Sequence, residues 1–257
     1  MNATVTHMPI DHMAMIERET TTIAALAAAM PLNAPVPSCP GWDLRELIDH
    51  TGRVHGWATQ AVLGGGDRPS LPSGPMQDED IVGWYGRQVS ALLDALRTTD
   101  AEAPVWTFTG LPATVAFWIR RQAHEASMHR WDAQQAALTS GRSIPAAPAG
   151  TDGFDADFAA DGVDEYLSVF AWRRLGEGFA LGGSLHLHCT DAEGEWNITQ
   201  DDDGLHVATG HAKGDAALRG PSSLLLRLHW GRATLDDGIE VFGDRDLIGR
   251  WLAIGAP

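Results

Sequence analysis

Apolar residues recur every three to four positions through four stretches of the first half of the chain, and every second position in short runs of the second half. The first stretch places Met15, Ile16, Ile23, Leu26 and Ala27 on one side of a helix that Asp11 can cap and that reaches about Met30. Pro31 and the run Asn33-Ala34-Pro35-Val36-Pro37 end it. A second helix is expected from Asp43, with Glu46 three residues on as its capping-box partner, through Val62. Its inward stripe reads Leu47, His50, Val54, Trp57 and Ala58, which puts His50 on the apolar side and rotates His55 well away. Asp78 or Asp80 starts a third helix to about Arg97, with Ile81, Tyr85, Val89, Leu92 and Leu96 on one face. The fourth, from about Ala113 to Leu138, contains no proline or glycine, and Pro112 is placed to open it. Long connections between four amphipathic helices predict a bundle.

From Gly141 to Gly153 the composition shifts to Gly, Pro, Ala and Asp without periodicity, which marks a domain boundary. A fifth helix spans about Phe158 to Leu175. After Gly182-Gly183 the period becomes two. Leu185–Cys189, Trp196–Ile198 and Leu205–Val207 read as consecutive antiparallel strands, with turns at Glu193-Gly194 and Asp203-Gly204. A helix from Ser222 to Trp230, a strand from Ile239 to Phe242 and a last helix from Asp244 to about Ile254 follow. The expected fold class is therefore α+β, with a four-helix bundle over residues 1–150 and a smaller α+β domain with a mainly antiparallel sheet over residues 151–257.

The chain has 257 residues, 44% hydrophobic with ten tryptophans, enough to fill two cores. A net charge of −16 has the wrong sign for a nucleic acid backbone or an anionic membrane surface. An anionic ligand must then be held locally, by a metal or by particular arginines. Cys39 and Cys189 are too few for a disulfide framework or a cysteine-built zinc site, and Cys39, with no base near it in sequence, reads as a structural thiol. The stretch Met1–Met15 has neither the basic start nor the apolar core of a secretory leader, and no stretch reaches membrane-spanning length, so a soluble cytoplasmic protein is expected. Gly64-Gly65-Gly66 is not a phosphate loop, because no Gly-Lys-Ser/Thr follows.

Chemistry concentrates in Arg121-Gln122-Ala123-His124-Glu125-Ala126-Ser127-Met128-His129-Arg130-Trp131-Asp132. Glu125 and His129, four apart, sit one above the other on the fourth helix, about 5–6 Å between Cβ atoms. They belong to a stripe that includes Trp118, Gln122, Ala133 and Ala136. The pair is compatible with a hydrogen bond on a solvated face. It is not the zincin motif, since His124 and His129 are five apart. His50 by itself reads as a core histidine, but with Glu125 and His129 it makes a His₂-carboxylate set from two helices. Such a set leaves a coordination position open, as catalytic zinc sites do, and it is also open to nickel, iron or manganese. His186 and His188 share a strand face. That spacing can bind metal but more often marks a half-exposed polar face.

Ser38-Cys39-Pro40-Gly41-Trp42-Asp43-Leu44-Arg45-Glu46-Leu47-Ile48-Asp49-His50 and Ala123-His124-Glu125-Ala126-Ser127-Met128-His129-Arg130-Trp131-Asp132 resemble the two signatures of mycothiol-dependent maleylpyruvate isomerase-like proteins, within the DinB/YfiT-like metal-binding bundle superfamily. Leu224–Arg232 and Glu240–Asp244 resemble the family's second domain, which is similar to sterol carrier protein folds. The resemblance implies that His50, Glu125 and His129 hold Zn²⁺ and that the cofactor is mycothiol, a low-molecular-weight thiol bound as thiolate. The thiolate adds to a cis double bond conjugated with a carbonyl, and elimination after rotation gives the trans isomer. It also implies a second-domain arginine on the small anionic or electrophilic substrate. Arg232 is the choice for that role and Arg227 the fallback. Three alternatives stand beside isomerisation: mycothiol S-transfer, a non-catalytic metal- and small-molecule-binding protein, and zinc-water hydrolysis with His124 or Asp132 as base. Monomer and dimer are both compatible with the sequence.

Overall fold

The computed structural model describes residues 10–76, 79–142 and 153–254, in two compact units, Met1–Ala146 and Ala147–Pro257. Asp78, the first nine residues and most of the Gly141–Gly153 interval lie outside the described residues. The first unit is a bundle of α1 (His12–Ala29), α2 (Leu44–Leu63), α3 (Ile81–Thr98) and α4 (Val115–Thr139). Each start follows from local chemistry. Asp11 accepts from the Ala14 amide, Asp43 and Glu46 form a complete capping box, and Asp80 accepts from the Val82 amide. Pro112 does not open α4. It directly precedes β2 (Ala113–Thr114), which pairs antiparallel with β1 (Pro104–Val105), and Thr114 is the residue before the helix.

α1 packs on α4, and α2 packs on both α3 and α4. A Cβ at Gly52 would lie 2.2 Å from the Trp84 ring, so this glycine lets α2 approach α3 closely. Ile16, Ile23, Leu47, Ile48, Tyr85, Leu92 and Trp118 are fully buried, and Glu19 and Arg130 pair among them at 2.7 Å.

The two-sided packing of α2 corrects the expected orientation of its histidines. A helix touching two neighbours buries a wide arc, here Leu44, Leu47, Ile48, Thr51, His55, Ala58 and Val62. His55 lies within that arc and is fully buried; His50 sits at its edge, half-buried.

The second unit begins with α5 (Ala156–Glu165), which continues as one π-helical turn, Tyr166–Phe170, and a 3₁₀ turn, Ala171–Arg174. Its five-stranded sheet has the order β5-β4-β3-β6-β7, with β3 (Leu185–Cys189), β4 (Glu195–Asp201), β5 (Gly204–Thr209), β6 (Ala216–Gly220) and β7 (Glu240–Gly243). β6 is absent from the sequence reading, and it pairs parallel to β3 while the other ladders are antiparallel. Leu185, Leu187, Trp196, Ile198 and Leu218 form the buried face of the sheet, and the Trp196 indole donates to Asp164 of α5. α6 (Ser222–His229) and α7 (Arg245–Leu252) complete the unit. α6 ends in a Schellman motif. Gly231 takes φ +72°, its amide donates to Leu228 O, and the Arg232 amide donates to Arg227 O. Among the described residues, no helix is long and apolar enough to cross a membrane.

Each unit encloses one fully satisfied neutral histidine. His55 Nδ1 is 2.6 Å from Gln122 Oε1, and its Nε2 faces the Tyr85 hydroxyl at 3.4 Å. His229 Nδ1 meets Leu225 O at 2.7 Å, and its Nε2 accepts from the Trp251 indole at 3.1 Å. Burial pushes both down to about 4. The unfolded chain therefore binds protons that the native one refuses, and stability present above pH 6.5 is lost as pH falls toward 4. The expected loss is about 3 kcal/mol per histidine at full protonation of the unfolded chain. Denaturant unfolding at pH 7 and pH 4.5 measures it; equal stabilities at the two values would contradict it.

Candidate metal centre

The Ser38–Asp43 turn, α2 and α4 meet at one place in the first unit. α2 presents His50, and α4 presents Glu125 and His129 one turn apart. One donor atom from each lies within 4.8 Å of the other two. His50 Nε2 is 3.4 Å and His129 Nε2 is 3.2 Å from the same oxygen, Glu125 Oε1. Donors bound at about 2.0–2.2 Å around a tetrahedral ion stand about 3.3–3.5 Å apart. The spacing and the chemistry, two imidazoles and one carboxylate, fit zinc. The exposure pattern leaves one side accessible: the His50 side chain is 34% exposed, against 9% for His129.

The surrounding residues fix these donors. Arg121, one turn before Glu125, binds Oε2 at 2.6 Å and leaves Oε1 facing the imidazoles. Asp132, fully buried, accepts from His129 Nδ1 at 2.9 Å, so Nε2 is the nitrogen presented to the site. Asp132 is itself held by the turn: Ser38 Oγ donates to Oδ1 at 2.5 Å, and the Cys39 thiol lies 3.5 Å from Oδ2. Trp42 lies against both imidazoles, with ring centroids 4.9 Å from His50 and 6.4 Å from His129. The Ser-Cys-Pro-Gly-Trp-Asp signature thus supplies in six residues a carboxylate clamp, an aromatic wall and a helix cap. Gly41, at φ +87°, makes the turn between them.

Burial alone would lower the His129 pKa, but the Glu125 and Asp132 carboxylates overcome it and bring it to about 9. Burial opposes ionisation of Glu125 too, and His129, His50 and Arg121 together hold it well below the usual carboxylate range. A cation held by these donors would displace the His129 proton, so its affinity would rise with pH.

Asp132 was a candidate general base in the sequence; in the structure both its oxygens are engaged. His124, the other candidate, packs its ring edge-on against His12 and lies outside the triad. The Cys189 thiol is pushed up to about 12 by burial first and by Asp191 and Glu195 next, which makes it a poor nucleophile. Arg232 belongs to the second unit, half-buried just past α6, and its guanidinium donates to Trp230 O at 2.7 Å.

A cavity of about 640 Å³ opens beside His50, lined by Arg53, Val54, Trp57, Arg68, Pro69 and Leu71 among others. The sequence reading passed over Arg53 and Arg68. The available signal was Arg53 standing three residues after His50, one helical turn along the same face.

Replacing Asp132 by asparagine is expected to weaken zinc binding by about 10–100-fold, because the imidazole loses the carboxylate that orients it and raises its basicity. Zinc competition with a chromophoric chelator reads this directly; unchanged affinity would separate Asp132 from the metal.

The model for the mycothiol maleylpyruvate isomerase N-terminal domain matches residues 14–134, and the model for the C-terminal domain of the same isomerases matches residues 157–250. Comparison with curated proteins gives no match. Among the solved structures that match, two align over most of the chain. A mutant of mycothiol-dependent maleylpyruvate isomerase aligns with TM-score 0.52 and 13% identity, over 90% of this chain and 91% of that one. The crystal structure of mycothiol-dependent maleylpyruvate isomerase aligns with TM-score 0.50 and 14% identity, over the same shares. At these identities the likeness is one of fold.

Proposed function

Because this chain belongs to the mycothiol maleylpyruvate isomerase family, we propose that it is an enzyme that uses a low-molecular-weight thiol of the mycothiol type to isomerise a small unsaturated acid from cis to trans. The observation that carries the reading is the convergence of His50 Nε2, His129 Nε2 and Glu125 Oε1 on one point, open on the His50 side. Zinc held by these three would lower the pKa of a thiol at its open position, making sulfur nucleophilic near neutral pH.

The chain's own residues do the rest. Arg121 and Asp132 hold the donors in place before substrate arrives, so no reorganisation is needed during the reaction. Trp42 shields the imidazoles from water on one side. The cavity beside His50 admits a ligand of small-molecule size, and it is lined by Arg68 and by Arg53, which pairs with Asp49 at 3.3 Å, in a protein whose net charge is −16. Arg232 is proposed for the substrate carboxylate on the family resemblance alone; within its own unit its guanidinium donates to Trp230 O. The reaction is addition of sulfur to the conjugated double bond, rotation about the resulting single bond, and elimination of the same thiol.

The test is turnover of maleylpyruvate by purified protein with zinc and mycothiol, followed by product analysis. Catalytic conversion with the thiol recovered supports isomerisation. Accumulation of a stable thioether would transfer the proposal to an S-transferase, and absence of any thiol-dependent turnover would leave a binding protein. Hydrolysis is disfavoured by the engagement of Asp132 and the position of His124.

A further inference from the structure

The second unit carries a separate set of donors on its sheet. His186 and His188, two apart on β3, project from the face opposite Leu185, Leu187 and Cys189. Glu195 is the direct cross-strand partner of His188 in the β3–β4 ladder, so one carboxylate meets both imidazoles. His188 Nδ1 lies 2.9 Å from Oε1, and His186 Nε2 lies 3.2 Å from Oε2. One donor atom from each of the three residues falls within 4.8 Å of the others. His211 follows the end of β5, where the Gly210 amide donates to Glu195 O. Its Nδ1 is 2.9 Å from Glu195 Oε2, and its ring centroid is 5.2 Å from that of His186.

His186 makes this more than a polar sheet face. The residue is 6% exposed, and its Nε2 is buried without a hydrogen-bond partner. The 3.2 Å approach to Glu195 is an ion-pair distance without hydrogen-bond geometry. A buried imidazole nitrogen left in that state is unfavourable. Two imidazole nitrogens and a carboxylate oxygen within 4.8 Å of one another are a ligand set for a borderline divalent metal.

We propose that His186, His188 and Glu195 form a second metal site for a divalent transition ion of the zinc type. It shares no residue with the His50 centre. The ion would tie β3 to β4, the paired strands that carry its three ligands.

Zinc stoichiometry of the untagged full-length protein tests this, measured after chelator stripping and dialysis against zinc. The wild type is expected to hold about two zinc per chain, Glu195→Gln about one, and the His50→Ala/Glu195→Gln double variant none. His188→Ala, at a half-exposed position, should repeat the result for Glu195→Gln. In a His50→Ala background, zinc should raise the thermal midpoint, and adding Glu195→Gln should abolish that rise. A Glu195→Gln protein that holds as much zinc as the wild type, or a His50→Ala protein that holds none, overturns the second site. Failure of the first centre reads differently: His50→Ala would keep the wild-type content while Glu195→Gln loses it.

Discussion

Replacing His50 by alanine is expected to remove one equivalent of zinc and to lower kcat/KM for thiol-dependent turnover on the order of 10³-fold or more. The magnitude follows from what a bound ion contributes: several kcal/mol of charge stabilisation at the reacting sulfur, each 1.4 kcal/mol being about a factor of ten. His50 is the informative ligand because it is half-exposed and its loss strands no buried partner. His129→Ala would instead leave the Asp132 carboxylate buried without its imidazole and Glu125 with Arg121 as its remaining clamp, mixing a stability cost with the catalytic one. Metal content, activity and circular dichroism measured on the same His50→Ala sample separate these effects. Wild-type zinc and wild-type turnover in that sample would sink the metal centre.

The second large effect is on stability. Glu19 of α1 and Arg130 of α4 are 2% and 3% exposed, and both Glu19 oxygens are used: Oε2 by Arg130 at 2.7 Å, Oε1 by Arg18. Arg130 also donates to Gln134 at 2.6 Å. Glu19→Ala takes away the buried carboxylate to which Arg130 Nε donates at 2.7 Å and is expected to cost about 3–5 kcal/mol. Replacing both partners with apolar residues of similar size, as in Glu19→Leu with Arg130→Met, should recover most of the loss, because the desolvation of the pair disappears with the charges. Urea unfolding of the two single variants and the double variant gives the coupling directly. A Glu19→Ala protein as stable as the wild type would mean that the pair contributes nothing to holding α1 on α4. Neither residue is among the three donors of the candidate centre, so kcat/KM per folded molecule should stay within a few-fold of the wild type.

The sequence carried the helices well, since their ends are written in side chains that act locally: Asp11, Asp43 with Glu46, Asp80. The triad was legible for a related reason. Glu125 and His129 are one turn apart on an uninterrupted helix, whereas His50, expected on the apolar side of α2, stands at the edge of its buried arc. What depends on a neighbour was not legible. His55 is buried because α2 packs against two helices, which no single-helix stripe reveals. Ala216–Gly220 has neither β-branched nor aromatic residues, and it is a strand because β3 and β7 flank it. The hold on Asp132 emerges only when the turn at Ser38 is brought against α4. The change of helical pitch falls on Tyr166–Phe170, a segment with no proline or glycine of its own.

The layer of His55, Gln122 and Tyr85 beneath the triad bonds α2 to α4, with α3 close by, through groups that ask nothing of a metal. Chelation should therefore empty the cradle without melting it, unlike small domains whose folding and zinc loading are one event. An emptied protein of this kind can be recharged with cobalt or cadmium in place and followed by their absorption, with ligand exchange limited by access past His50 rather than by refolding.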